Sequence, residues 1–95
     1  MPTIETIIWL DEIVEKLARK HDVQELEVCQ VLEGRPRFRW LEKGHRPGED
    51  LYLALGRTES GRFLSVFFVY RIDRSALVVS ARTMSPAERR GYERK

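Results

Sequence analysis

Residues 62–70 read Arg-Phe-Leu-Ser-Val-Phe-Phe-Val-Tyr, and the apolar members Phe63, Leu64, Val66, Phe67, Phe68 and Val69 fall at odd and even positions alike. Successive side chains of a strand point to opposite faces, so this segment has no face to leave in water. It belongs at the centre of a sheet covered on both sides. A chain of 95 residues has room for one such core, burying roughly 60 to 65% of its unfolded surface, so residues 1–95 are expected to form a single domain. The fold class expected is α/β of the α+β kind: one mostly antiparallel sheet of about five strands with two N-terminal helices and one C-terminal helix.

The flanking segments supply the rest of that sheet. Residues 4–9 are β-branched and aromatic and read as a short first strand. Ile13, Val14, Leu17 and Ala18 follow at helical spacing, giving an amphipathic helix that ends near His21. Asp22, with Glu25 three residues on, predicts the cap of a second helix whose inward residues are Val23, Leu26, Cys29 and Leu32 and whose stop is Gly34. Beyond Gly34 the period changes to two, with Arg35, Arg37 and Arg39 alternating with Pro36, Phe38 and Trp40. Gly44, Pro47 and Gly48 mark a loop; residues 51–57 are a third strand, 58–61 a hairpin turn and 62–70 the fourth strand. After a turn at 72–75, Leu77, Val78 and Val79 begin a fifth strand ending near Arg82, and Ser85, Pro86 and Glu88 occupy the N-cap, first and third positions of a terminal helix.

The formal charge of +2 conceals a polarity. Residues 1–33 carry three basic and eight acidic side chains, net −5; residues 34–70 carry seven and four, net +3; residues 71–95 carry seven and three, net +4. Thirteen of the 17 basic residues are arginine, whose planar fork suits bidentate contacts to phosphate or carboxylate. No apolar stretch approaches the ~20 residues of a membrane helix, and residues 1–10 show neither a basic leader nor a cleavage pattern, so a cytoplasmic protein is expected. The lone Cys29, set among Val28, Val31 and Leu32, reads as a core residue. Two histidines, one cysteine and no HExxH spacing argue against a metal site, and no phosphate-binding glycine loop or nucleophile elbow is present, so no cofactor is expected.

If the second to fifth strands pair as a meander, Arg57 ends the third, Arg62 begins the fourth and Arg82 ends the fifth, all at one end of the sheet. Arg35 and Arg37 open the second strand there, and the terminal helix leaves from the same end with Arg89 and Tyr92. Glu49 falls at the opposite end, near Arg71 and Arg74, where a salt bridge is expected. An arginine cluster of this kind can hold a scissile phosphodiester and stabilise the charge of its transition state. RNA brings its own nucleophile, the 2′-hydroxyl, so the protein need only move protons. Tyr92, His21 and Glu59 are the candidates, and spacing singles out none of them.

Several strings resemble the BrnT family of type II toxins, which have a RelE-like fold. Trp9 precedes the step Lys20-His21-Asp22-Val23; Ala54-Leu55-Gly56-Arg57-Thr58 is followed by Gly61-Arg62-Phe63-Leu64 and Val66; and Val79-Ser80-Ala81-Arg82 leads to Ser85, Glu88-Arg89-Arg90 and Tyr92. The resemblance spans nearly the whole chain, and its C-terminal string is the most specific. It implies a metal-independent ribonuclease that blocks translation and is neutralised by a cognate antitoxin, usually a small DNA-binding protein. Arg62 and Arg82 fall where the family has its basic active-site residues. The expected catalytic set is Arg62, Arg82, Tyr92 and His21, and the expected phosphate-binding set is Arg35, Arg37, Arg57 and Arg89. The expected partners are RNA and an antitoxin, in a homodimer or a toxin–antitoxin hetero-oligomer. The first helix departs from the family pattern: Leu10-Asp11, Ile13 and Leu17 stand where the family commonly has Asp-Pro, a lysine and an asparagine.

The alternative is a non-catalytic module whose basic face binds RNA or an acidic protein, with Trp40 and Tyr52 as exposed aromatic anchors. A DNA-binding repressor is disfavoured, because no helix pair carries a basic recognition face.

Overall fold

The computed structural model of the protein describes residues 2–94. Its elements run β1 (Thr6–Ile8), α1 (Asp11–Lys16), a π-helical segment (Leu17–His21), α2 (Glu25–Glu33), β2 (Arg37–Glu42), β3 (Asp50–Arg57), β4 (Phe63–Tyr70), β5 (Ser75–Thr83) and α3 (Pro86–Glu93). The sheet order is β1-β5-β4-β3-β2, which puts β4 at the centre, as its doubly apolar sequence requires. Strands β2 to β5 form the antiparallel meander, and β1 adds to the outer side of β5 in parallel, with Thr6 opposite Ser75. The meander's far end carries the expected salt bridge, Arg71 to Glu49 at 3.6 Å, while Arg74 pairs instead with Glu5 at 3.4 Å.

Alternation along β4 divides the core in two. Leu64, Val66 and Phe68 are fully buried under the N-terminal helices, packed with Leu17, Val23, Val28, Val31 and Leu32. On the other face, Phe63 and Phe67 pack with Leu53, Leu55, Met84 and Tyr92 beneath α3. Each such side chain contributes about 1.5–3 kcal/mol when fully buried, so the face under the N-terminal helices, with the larger set of buried residues, holds most of the stability. Gly56 sits where α2 comes closest to the sheet: a Cβ there would stand 2.9 Å from a Val31 methyl, so its role is close approach rather than the hairpin turn.

The second helix starts later than Asp22 and Glu25 suggest. The first helix widens into the π segment, and Asp22 ends it in the left-handed region at φ 54°, a conformation that aspartate tolerates. Val23 then plugs the core in extended chain, and Gln24 becomes the cap, its backbone N–H donating to Glu27 Oε1 at 3.0 Å. This shift turns the buried ridge of α2 to Val28, Val31 and Leu32. Leu26, expected to face inward, is 67% exposed, and Ala18 of the first helix is exposed as well. The terminal helix follows expectation: Ser85 Oγ accepts from the Glu88 N–H at 3.1 Å, and Glu88 Oε1 accepts from the Ser85 N–H at 2.8 Å. Among the described residues no helix is long and apolar enough to cross a membrane.

Candidate nucleic-acid interface

The α3 face of the sheet collects arginines from four elements. Arg37 and Arg39 alternate outward from β2 opposite Leu55 and Leu53, residues of the α3-side core, and so share their face. Arg37 stands over the Tyr92 ring at 5.9 Å, and Arg39 reaches α3 at Gly91. Arg57, at the end of β3, lies over Phe63 at 4.8 Å; Arg89, from α3, lies over the same ring at 3.9 Å. Arg82, from β5, lies over Phe67 at 5.3 Å. Aromatic faces attract cations, which holds Arg37, Arg57 and Arg89 in place without consuming their N–H donors. Among the described residues no carboxylate pairs with Arg37, Arg39 or Arg57.

Arg82 is held differently. Its two terminal nitrogens donate to the two oxygens of Glu88 at 2.6 and 2.8 Å, a bidentate pair. The same carboxylate accepts from the Ser85 N–H and from the buried Ser65 hydroxyl at 2.9 Å. The Arg82 bonds above all, then those of Ser85 and Ser65, outweigh burial and bring the Glu88 carboxyl down from 4.5 to about 2; Glu88 in turn raises the Arg82 guanidinium. Glu88 is therefore ionised at neutral pH and too weak a base to serve as a general base there. Besides Glu88, the described residues place two titratable groups of suitable chemistry among these arginines: Glu93, paired with Arg89 at 3.7 Å, and the Tyr92 phenol, whose ring meets that of Phe63 in a T-shaped arrangement with centroids 5.9 Å apart.

Arg62 does not join this group. It occupies an even position with Leu64 and Val66 and points to the side of the N-terminal helices. Its guanidinium donates to the carbonyls of His21 and Asp22 and to both oxygens of Glu27 at 3.0 and 3.1 Å, tying the end of the π segment to the start of α2. His21 and Asp22 thus lie on that side too, and Glu59, whose N–H donates to Gln30 Oε1 at 3.0 Å, sits beside α2. Arg35, at φ 60°, is exposed beside Pro36, Trp9 and Cys29, around a 740 Å³ cavity under the N-terminal segment. The Cys29 thiol is pushed up by burial and then by the charges of Glu33 and Glu25, which disfavours the thiolate.

Of the expected residues, then, Arg37, Arg57, Arg82, Arg89 and Tyr92 share one face, and Arg62, His21 and Arg35 stand on the other. A β-bulge separates Arg82 from Arg62. Phe68 opposes Val78 but Phe67 opposes Ser80, so β5 carries one extra residue there. Without it Arg82 would oppose Leu64 and share Arg62's face; with it Arg82 opposes Ser65. Arg39 completes the set, and its alternation with Arg37 in the sequence is the signal that marks it. The acidic side chains of the first 33 residues belong chiefly to α1 and α2, so the two sides of the sheet differ in charge. Trp40 is exposed as expected, its indole donating to Asp50 at 3.1 Å, but Tyr52 is half-buried and stacked on Phe68, unavailable as an anchor.

Because Arg62 closes a junction of two helical segments, Arg62→Ala takes the guanidinium donor from two carbonyls and the cation from Glu27, which keeps its bond from the Gln24 N–H. The expected result is a loss of about 1–3 kcal/mol in urea unfolding.

A five-stranded mixed sheet with helices on both faces and an arginine-rich face under the C-terminal helix defines a small α+β protein. Among solved structures that fold is shared with the ribonuclease toxin BrnT of Brucella abortus: the two superpose with a TM-score of 0.61 over 87% of this chain and 99% of that one, at 19% identity. At that identity the likeness lies in the fold. No family model matches the sequence, and no curated protein matches it.

Proposed function

We propose that the protein is a ribonuclease of the toxin kind, acting as a single domain in the cytoplasm, and that RNA binds across its α3 face. The observation that carries the reading is the grouping of Arg37, Arg57, Arg82 and Arg89 with Tyr92 on one side of the sheet. The likeness in fold to a ribonuclease toxin supports it. In this reading the arginines hold the scissile phosphate and stabilise the charge it gains as the 2′-hydroxyl attacks, and Tyr92 exchanges a proton with the reacting oxygens. The RNA supplies the nucleophile, and the mechanism needs no metal. A cognate antitoxin would neutralise the protein by covering the same face, giving a hetero-oligomer.

Incubating purified protein with RNA in excess chelator tests this reading. Cleavage to products ending in a 2′,3′-cyclic phosphate is the expected result, and RNA left intact at every pH overturns the catalytic claim. Binding should weaken steeply with salt, and replacing an arginine of the face should flatten the log–log slope by about 0.7 for every phosphate that the side chain neutralised.

One observation favours a binding-only relative as the second reading. Arg82 is committed to Glu88 on both terminal nitrogens, and Glu93, the carboxylate next to Tyr92 in the chain, is paired with Arg89. That reading keeps the salt dependence and loses the cleavage.

A further inference from the structure

Phe63 opens β4 on the α3 face with its ring half-buried: Tyr92 takes one edge, and two guanidinium groups stand over the ring, Arg89 at 3.9 Å and Arg57 at 4.8 Å. Like charges gathered on one ring repel unless an anion lies beside them. Arg57 has no carboxylate partner among the described residues, and that of Arg89 is Glu93 at 3.7 Å, an exposed pair one helical turn away that contributes little. Space is kept for the arrangement at the hairpin turn. Gly61 adopts φ 93°, open to glycine without strain, and a Cβ there would stand 3.2 Å from Arg57 Nη2.

The Arg89 guanidinium carbon lies 3.9 Å from the centre of the Phe63 ring, close enough for the flat group to lie against it, and the side chain is 53% exposed. An outward guanidinium plane backed by an aromatic ring is a stacking platform for a nucleobase, which is equally flat and polarisable. A base inside a duplex has both faces occupied and cannot reach it. Arg57, over the same ring at 4.8 Å, is a second cation beside that platform.

We propose that Arg89, backed by Phe63, stacks one unpaired base of a single-stranded RNA whose adjoining phosphate rests on Arg57. This rests on the reading of the α3 face as an RNA site and narrows its substrate to single strands.

The test uses short 2′-O-methyl RNA, which cannot be cleaved through its blocked hydroxyl, carrying 2-aminopurine at one position at a time, with an abasic counterpart for each position. The wild-type protein should quench the 2-aminopurine at one position, and removing the base there should weaken binding by about 5- to 150-fold. Arg89→Lys keeps the charge and is exposed, so the fold is untouched, but it loses the plane. It should abolish the quench and bind the base-bearing and abasic strands alike. Phe63→Leu, which keeps an apolar residue in the core, should do the same. Wild-type behaviour of Arg89→Lys overturns the proposal, as does wild-type binding that is indifferent to the abasic site at every position. If the wild-type protein binds no RNA at all, the reading of the α3 face falls, and this proposal with it.

Discussion

Arg57→Ala should slow RNA cleavage in chelator by about 100- to 1,000-fold, the usual effect of removing one donor aimed at a developing oxyanion. Folding should be nearly untouched. Arg57 is exposed at the end of β3, has no ion-pair partner among the described residues and is held by the Phe63 ring, so its loss should cost no more than about 1 kcal/mol of stability. That separation makes it the best single test of the site. Arg82→Ala should also slow the reaction, but it strands the Glu88 carboxylate and mixes a folding defect with the catalytic one. Single-turnover rates and urea unfolding curves measured on the same samples separate the two effects. Arg57→Ala cleaving at the wild-type rate would move the phosphate away from the α3 face.

The second large effect is on acid stability. Glu88 has an ordinary value of 4.5 and is held at about 2 in the folded protein, with its side chain 16% exposed. A carboxyl depressed this far contributes about 3 kcal/mol when ionised. The folded-state value lies below the unfolded one, so the contribution is complete above pH 4.5 and disappears as the pH falls towards 2. Wild-type protein should therefore lose about 3 kcal/mol of unfolding free energy across that window from this group alone. Glu88→Gln should be less stable by a similar amount at pH 7 and should lack this part of the acid dependence. Equal acid profiles for the two proteins would show that Glu88 is not the group being protonated.

Arg57 and Glu88 also mark what can be read from the amino acids and what cannot. The doubly apolar run 63–69 announces the central strand, the turn at 58–61 its hairpin, and Ser85-Pro86 with Glu88 the start of α3, because each depends on chemistry within a few residues. Counting strand directions brings Arg57 and Arg82 to one end of the sheet, where the folded chain has them. It cannot say which side of the sheet Arg82 faces, because that depends on the single extra residue in β5, and nothing in Leu77-Val78-Val79-Ser80 distinguishes a bulge from a regular strand. The same holds for the helical half. A π turn is invisible to a 3.6-residue pattern, so Asp22 reads as the beginning of α2 when it is the end of the preceding segment, and the pattern puts Leu26 on a face it does not occupy. Arg62 shows a third kind of loss: its hydrogen-bond partners at His21, Asp22 and Glu27 are some 40 positions away in sequence, and only the folded chain reveals that its donors are already engaged.

The two sides of the sheet carry opposite charge, acidic under α1 and α2 and basic under α3. In the field of a polyanion such a molecule experiences a torque as well as a pull, and it rotates its arginine side forward before any contact is made. Added electrolyte should erode the capture rate first and the lifetime of the bound state later, because orientation acts over a Debye length while the stacked guanidiniums act only at touching distance.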